Sequence, residues 1–327
     1  MKRVHSACCT LTLLAAGIAA DAIATDVRAS YPTKPIRVIV GFPPGGSTDV
    51  LTRLIGVRLS ENLGQQIIVD NRPAAGGTMA SELAARANPD GYTLMMATVA
   101  SHGINPSLYR KISYDAVKDF SPVTLIATYP LVLAMHPSVQ AKTVKDLIDA
   151  ARAKPGQFRY ASSGNGSPGH LSGEIFKTLA KVDLTHVPYK GGAPANVAVL
   201  SGEAHVTFAT MPGMIPHVRA GKVHGLAVTT AKRSPAAPEI PTIAESLPGF
   251  DVSSWAGLVA PAGTPRHIIA RVHAETVKVI TGREVREALG REGAEPVGNT
   301  PEQFAAFIRE EVAKWAKAVK QAGAQVD

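Results

Sequence analysis

Short apolar runs alternate with longer amphipathic stretches along the chain, and the alternation begins at residue 36. The run Ile36–Phe42 is short and rich in β-branched residues, which predicts a buried strand. After a break at Pro43–Ser47, apolar residues recur at helical spacing from Leu51 to Leu63 and predict a helix. The next predicted elements are a strand, a helix and a strand: Gln66–Asp70, Thr78–Ala87 and Tyr92–Ala97. The resulting order, βαβαβ, is typical of a parallel, doubly wound sheet.

A second series of the same kind begins near Pro130 and is followed by two C-terminal helices. Its predicted elements are Leu131–Met135, a helix from Thr143 to Ala153, Phe158–Ser162, His170–Leu179 and Leu184–Val187. Thr264-Pro265 opens one tail helix, and a capping box at Thr300–Gln303 opens the last. Two series predict two lobes with a cleft, one formed by 31–132 plus 232–327 and the other by 133–231. Chain crossings are expected near 132–136 and 228–232.

The N-terminus has the pattern of a secretory signal peptide at residues 1–24. Lys2 and Arg3 precede the apolar run Thr10–Ala20, which is too short to span a bilayer, and Ala22-Ile23-Ala24 is an A-x-A cleavage pattern. Both cysteines, Cys8 and Cys9, lie inside this segment, so the mature chain is expected to have no thiol chemistry. The mature protein is therefore expected to be exported and soluble.

Composition narrows the class without identifying a function. Apolar residues make up 45% of the 327 residues and charged residues 18%, which excludes a disordered polyelectrolyte. The net charge of +8 is spread along the chain and forms no Lys/Arg block, so no nucleic-acid partner is expected. A mildly basic protein suits a small anionic ligand, although the same charge also serves ordinary solubility.

Three glycine-rich loops, each between a predicted strand and a predicted helix, carry the candidate chemistry. They are Pro43–Ser47, Ser163–Gly169 and Tyr189–Pro194. Glycine lets backbone N–H groups approach a ligand closely, and the following helix N-terminus adds partial positive charge. Each loop alone could be a tight turn, but three together favour a receptor for a carboxylate or phosphate group.

Nucleotide, metal and hydrolase sites fit the sequence less well. There is no P-loop, and only the second loop begins a G-x-G-x-x-G pattern, with Gly169 as its third glycine. No H-E-x-x-H motif or cysteine supports a metal site, so neither metal nor cofactor is expected. Ser167 with Gly169 resembles a nucleophile elbow, but residue 165 is Asn where glycine is needed. A serine-dependent hydrolase stays open as the alternative, although His170 is better explained as a helix-cap residue.

Several motifs in a fixed order resemble one known family. They are Tyr31-Pro32, Pro43–Asp49, Asn71-Arg72-Pro73 with Gly76-Gly77, Pro89–Leu94, Asn105–Tyr109, Tyr114-Asp115, Asp119–Val123, Gly164–Leu171 and Val187–Gly191. Taken together they are similar to the Bug family, the solute-binding receptors of tripartite tricarboxylate transport systems. The resemblance runs from about residue 30 to the C-terminus.

This resemblance implies an α/β, two-lobed periplasmic-binding-protein fold of type II, a Venus flytrap in which each lobe is a mainly parallel sheet flanked by helices. It implies a binding protein rather than an enzyme, with a small organic carboxylate as ligand and two membrane transporter subunits as partners. A monomer is expected. The ligand contacts that it implies are Phe42, Pro43, Gly45, Gly46, Ser47, Thr98, Ser101, His102, Ser162, Gly164, Gly166, Ser167, His170, Tyr189 and Thr210.

The sequence departs from the family pattern at two positions that are often acidic, where it has His205 and Thr210. The later acidic residue would suit an amino group on the ligand, and Thr210 cannot supply that charge. We therefore expect an acid without an α-amino group, such as a dicarboxylate or an aromatic or hydroxy monocarboxylate. The alternative is neutral variation at a position outside the pocket.

Overall fold

The structure is a computed structural model that describes residues 31–321. The predicted signal peptide, with Cys8 and Cys9, lies outside these residues. Within the described part, no helix is long and apolar enough to cross a membrane.

Ten strands and ten α-helices make up the described chain. The strands are β1 Ile36–Val40, β2 Ile67–Asn71, β3 Thr93–Thr98, β4 Phe120–Met135, β5 Arg159–Ser162, β6 Thr185–Pro188, β7 Val206–Thr210, β8 His224–Val228, β9 Ser253–Pro261 and β10 Glu295–Pro296. The helices are α1 Ser47–Leu63, α2 Thr78–Ala85, α3 Asn105–Leu108, α4 Val144–Ala153, α5 Pro168–Ala180, α6 Gly192–Leu200, α7 Met211–Arg219, α8 Arg266–Thr281, α9 Arg283–Arg291 and α10 Pro301–Gln321. A π-helical turn, Val99–Ile104, follows β3.

The strands form two parallel groups joined by antiparallel strands, in the order β2-β1-β3-β9-β4-β7-β5-β6. In the first half, β1 pairs in parallel with β2 and β3. In the second half, β5 pairs in parallel with β6 and β7. The α/β class and both predicted parallel groups are therefore confirmed, and β8 and β10 add antiparallel pairs along β4.

Strand β4 belongs to both halves and is eleven residues longer at its start than the sequence predicts. Its residues Phe120–Pro130 pair with β9, and Leu131–Met135 pair with β7 and β8. The predicted series begins near Pro130, so it leaves out the first eleven residues of this strand. The structure accommodates Pro122 beside a register shift against β9, which is where a proline is tolerated in a sheet.

The chain returns from the second half along residues 229–252, a segment that packs on the second half. Thr242 forms a parallel bridge to Val228, and Ala237 and Ile240 join the apolar cluster that contains Val132 and Val228. Buried Thr229 ties the segment to β4, because its amide donates to the Leu131 carbonyl at 3.0 Å. The lobe boundaries stay a prediction, and these contacts favour a return crossing near residue 252 rather than 232.

The C-terminal helix α10 is anchored to the first half by a buried carboxylate. Glu311 accepts the indole N–H groups of Trp255 on β9 and Trp315 on α10, each at 2.8 Å. The predicted capping box is present, since the Gln303 amide donates to Thr300 Oγ1 and the Thr300 amide donates to Gln303 Oε1. The tail therefore completes the first half, against which the second half closes.

Candidate functional site

Two cavities lie between the halves of the sheet, at the ends of the parallel strands where ligands of such sheets bind. The inner cavity has a volume of about 50 Å³ and is lined by Phe42, Gly46, Ser47, Thr48, Thr98, Val99, Ala100, Tyr129, Ser163, Pro168, Gly192, Thr210 and Ser254. The outer cavity has a volume of about 480 Å³ and is lined by Gly41, Phe42, Pro43, Pro73, Ala74, Gly76, Tyr109, Ser163, Gly164, Asn165, Pro188, Tyr189, Lys190 and Gly191. Phe42 and Ser163 belong to both walls, so the two spaces adjoin.

Helix N-termini from both halves open onto the inner cavity. These are the N-termini of α1 at Ser47, α5 at Pro168, α6 at Gly192, α7 after Thr210, and the π-helical turn after Thr98. The first amides of a helix have no partner within it, and they carry the positive end of the helix dipole. The cavity therefore has backbone donors and positive potential without a basic side chain on its wall.

A carboxylate at the third helical position holds the first loop, which runs from Gly41 to Gly46. Gly45 has a φ of 78°, and its amide donates to Asp49 Oδ2 at 2.9 Å. Arg53 and Asn71 also donate to this carboxylate, at 3.0 Å each. Burial alone would raise the pKa of Asp49, but these hydrogen bonds outweigh it and hold the pKa below its usual value. The Asp49–Arg53 pair therefore has a structural role in this loop.

The second loop, from Ser163 to Ser167, is held in the same way by imidazoles. Gly166 has a φ of 72°, and its amide donates to His170 Nδ1 at 3.1 Å. The Gly164 amide donates to Ser162 Oγ, which lies 2.6 Å from His186 Nε2. These bonds fix the amides of Gly164 and Gly166, and the Ser167 amide donates to the Gly164 carbonyl at 3.1 Å.

The free amides of the second loop belong to Ser163 and Asn165, which have no hydrogen-bond acceptor among the described residues. Both residues line the outer cavity, and Ser163 also lines the inner one. Two free amides of this loop thus belong to residues on the cavity wall, and backbone N–H groups in a turn can bind an anion.

The two halves touch each other around the cavities. Ser47 Oγ lies 2.5 Å from Thr210 Oγ1. A Cβ placed on Gly166 would lie 1.8 Å from Leu108 Cδ2, and one on Gly191 would lie 2.5 Å from Pro43 Cδ. Because these glycines and their neighbours come from opposite halves, the structure has the closed form of the cleft.

The structure brings most of the predicted contact residues together, in two positions. Those on a cavity wall are Phe42, Pro43, Gly46, Ser47, Thr98, Gly164, Tyr189 and Thr210. Those that shape the loops from behind the wall are Gly45, Ser162, Gly166, Ser167 and His170. Direct contact with a ligand stays a prediction for the first group, and a supporting role fits the second.

Ser101 and His102 lie elsewhere than the direct contacts predicted for them. Both are fully buried, and the cavity wall at this turn is formed by Thr98, Val99 and Ala100. Ser101 caps the turn through Thr98, while the His102 ring packs 4.6 Å from the Phe120 ring. Burial lowers the pKa of His102 to about 3, so this imidazole is a neutral core residue.

Sequence reasoning missed several residues of the walls, chiefly Tyr129 and Ser254. They face each other in the register of β4 and β9, beside the point where β4 changes partners. Burial raises the pKa of Tyr129 to about 12, partly offset by its hydrogen bond with Ser254, so the phenol is neutral at pH 7. Their signal would have been the long strand β4, of which the prediction leaves out the first eleven residues.

The walls carry almost no formal charge. Among the residues that line the two cavities, Lys190 in the outer one is the only Lys, Arg, Asp or Glu. In the described part of the chain, no group of three or more His, Cys, Asp or Glu could hold a metal ion. An anion placed here would meet helix N-termini and one ammonium group, with no carboxylate to repel it.

The geometry at Ser167 differs from that of a nucleophile and its base. Its hydroxyl accepts the His170 amide at 3.2 Å as the cap of α5. The His170 imidazole is engaged by the Gly166 amide, and burial first of all lowers its pKa. Ser167 and His170 therefore contact each other through the helix cap.

Residues 51–324 match the family described as "Tripartite tricarboxylate transporter family receptor". The chain belongs to this family. It is 36% identical to BugT of Bordetella pertussis over 319 residues, which cover 97% of this chain and 98% of that one. The resemblance to the Bug family is therefore confirmed, and its membership of this family makes the protein a solute receptor.

Solved structures of the same type extend over nearly the whole receptor. The Rhodopseudomonas palustris protein Rpa4515, solved with adipate, is 39% identical and has a TM-score of 0.89, covering 91% of this chain and all of that one. MatC from R. palustris, with bound malate, is 33% identical with a TM-score of 0.83, covering 88% and 100%. These likenesses confirm the predicted two-lobed binding-protein fold.

Proposed function

We propose that this receptor closes its two lobes on a small organic carboxylate and presents it to the membrane subunits of a tripartite tricarboxylate transporter. The observation that carries the proposal is the set of helix N-termini around an inner cavity whose wall has no acidic side chain. In such a site, backbone amides bind the carboxylate and the helix dipoles stabilise its charge. The adipate and malate in similar structures support this ligand class.

The sizes of the cavities suggest how the ligand is divided between them. The inner cavity, about 50 Å³, has room for one carboxylate group, and the outer one, about 480 Å³, has room for the rest of a small acid. Lys190 would attract a second anionic group in the outer cavity. A periplasmic location, reached through the predicted signal peptide, fits delivery to a membrane transporter.

Binding without chemistry distinguishes this function from the hydrolase alternative. A thermal-shift screen of mono-, di- and tricarboxylates and amino acids at pH 7.5 should reveal stabilising acids. A ligand at 100 times its Kd adds about 2.7 kcal/mol to the unfolding free energy. The acid should be recovered unchanged by chromatography after prolonged incubation. Turnover of the acid, or stabilisation by amines and not by acids, would contradict the proposal.

A further inference from the structure

A stack of aromatic rings lies directly behind the second loop. The centroids of the His170 and His186 imidazoles are 4.2 Å apart, with the rings 16° from parallel. The Tyr160 ring covers the other face of His186, with centroids 4.8 Å apart and planes 23° from parallel. Neither imidazole is part of a cavity wall, so any role of this pair acts through the loop.

Each imidazole offers the loop an acceptor nitrogen. His170 Nδ1 accepts the Gly166 amide, so this nitrogen carries no proton. Ser162 Oγ accepts the Gly164 amide at 3.2 Å, which directs its own proton to His186 Nε2 at 2.6 Å or to the Gly164 carbonyl at 3.2 Å. We assign this proton to the bond with the imidazole, in which His186 Nε2 is the acceptor. Both rings therefore support the loop as neutral bases.

The charged and titratable groups that face the pair come from α5 and β5. Glu174 accepts the Tyr160 hydroxyl at 2.6 Å and pairs with Lys177 at 3.2 Å. Burial first, then the neighbouring His170, lowers the pKa of His186 to about 4, with Glu174 opposing the shift. Burial and Lys177 likewise lower the pKa of His170, against Glu174. The surroundings thus keep both rings neutral at pH 7.

We propose that the stacked imidazoles of His170 and His186 position the second loop, and that proton uptake by the pair releases the loop and weakens ligand binding. The inference rests on the proposed function, because it takes the free amides of Ser163 and Asn165 as donors to the ligand. His170 and His186 are positioning residues in this account and do not touch the ligand.

Protonation changes the hydrogen bonding at two points. A proton on His170 Nδ1 places a donor against the Gly166 amide, which is also a donor, so that bond is lost. A proton on His186 Nε2 removes the acceptor of the Ser162 hydroxyl. The hydroxyl must then reorient, which disturbs its bond with the Gly164 amide. The loop amides would then leave the geometry that aims Ser163 and Asn165 at the cavity.

Substitutions can separate the hydrogen-bond acceptor role of the two imidazoles from their uptake of protons. Asn at 170 places an oxygen near the position of Nδ1, and Gln at 186 places one near Nε2, so the double variant H170N/H186Q keeps acceptors but cannot titrate in this range. His170→Leu removes the acceptor without introducing a charge. His267→Asn, at an exposed position on α8, is the matched control for loss of a histidine.

The test measures the Kd of adipate and of malate by calorimetry from pH 7.5 to pH 4.0 for all four proteins. We expect His170→Leu to bind at least tenfold more weakly at pH 7.5, and H170N/H186Q to recover most of that loss. Towards pH 4.0 the native protein and His267→Asn should lose at least threefold more affinity than the double variant. Protonation of the ligand itself cancels in these ratios. Parallel pH profiles for the native protein and the double variant would overturn the proposal.

A ligand-free measurement separates this inference from the proposed function. Nuclear magnetic resonance of histidine-labelled and glycine-labelled protein should show the Gly166 amide shifting with the same midpoint as the His170 or His186 ring. His170→Leu should abolish this coupled shift, and a melting temperature would confirm that the variant is folded. A Gly166 amide that ignores the histidine titration would contradict the inference. Failure of every acid to bind, with the coupling present, would contradict only the proposed function.

Discussion

The two loops that face each other across the cleft are built to one plan with different acceptors. In each, a glycine of positive φ donates its amide to the side chain four residues later, at the third position of the following helix: Gly45 to Asp49, and Gly166 to His170. Each acceptor lies near a side chain of the neighbouring strand, Asn71 for the first and His186 for the second. The plan is geometric, and the acceptor decides how the loop responds to pH.

The carboxylate and the imidazoles lose their function in different pH ranges. Asp49 has a lowered pKa, so the first loop keeps its acceptor until the pH falls below the usual carboxyl range. His170 and His186 have lowered pKa values, so the unfolded chain binds more protons than the folded one between about pH 6.5 and pH 4. Stability from the second loop is therefore complete above that range and is lost as the pH falls through it.

The largest expected effect comes from blocking the second loop at Gly166. Gly166→Val combines a backbone of positive φ with a direct collision against Leu108 of the other half, so we expect no measurable binding of any acid that the native protein binds. Calorimetry measures the affinity, and small-angle scattering should show that added ligand no longer reduces the radius of gyration.

Gly64→Val is the matched control for this prediction. Gly64 ends α1 with a φ of 69°, and nothing lies within 4 Å of the Cβ that a substitution would add. Its substitution should cost about 1–3 kcal/mol of stability through backbone strain and leave the affinity unchanged. Equal loss of binding in both variants would mean that strain, and not closure of the cleft, explains the effect.

The choice of ligand should also reflect that neither loop presents a carboxylate to the cavity. Asp49 is engaged by Gly45 and Arg53, and Thr210 provides a hydroxyl on the inner wall. An ammonium group enclosed there would be desolvated without a partner, at a cost of several kcal/mol. We expect succinate to bind at least tenfold more tightly than aspartate in the same buffer. Tighter binding of aspartate would contradict this interpretation of Thr210. Thr210→Asp should reduce the difference between the affinities for succinate and aspartate.

Sequence reasoning was most successful where chemistry is carried by local backbone pattern. The strand–glycine–helix pattern located both loops, because glycine and a helix start leave a signal in consecutive residues. The imidazole pair was missed because His186 and His170 are sixteen residues apart and meet only through the pairing of β5 with β6. The family resemblance implied a ligand contact for His102, whereas the π-helical turn buries its ring against Phe120.

Removing the charge of Asp49 should affect stability more than the shape of the first loop. Asp49→Asn keeps an oxygen for the Gly45 amide but weakens the bonds from Arg53 and Asn71, so we expect a loss of about 1–3 kcal/mol in urea unfolding at pH 7. Asp146→Asn is the control, because Asp146 occupies the same third position of α4 at an exposed site. It should cost less than Asp49→Asn, and a reversed order would contradict the role given to the first loop.

The smallest effect concerns a hydroxyl contact that joins the N-termini of α1 and α7 across the cleft. Ser47 Oγ and Thr210 Oγ1 lie 2.5 Å apart, and a neutral hydrogen bond of this kind contributes about 1 kcal/mol. Because the bond forms only when the cleft closes, Ser47→Ala should weaken acid binding about fivefold, since 1.4 kcal/mol corresponds to a factor of ten.

A double-mutant cycle with Thr210→Val isolates the contribution of the Ser47–Thr210 pair. Ser60→Ala, on α1 but bonded among the described residues only to Gly56 and Ile67, should lower stability without changing affinity. Additive effects of Ser47→Ala and Thr210→Val on the affinity would show that this contact takes no part in closing the cleft.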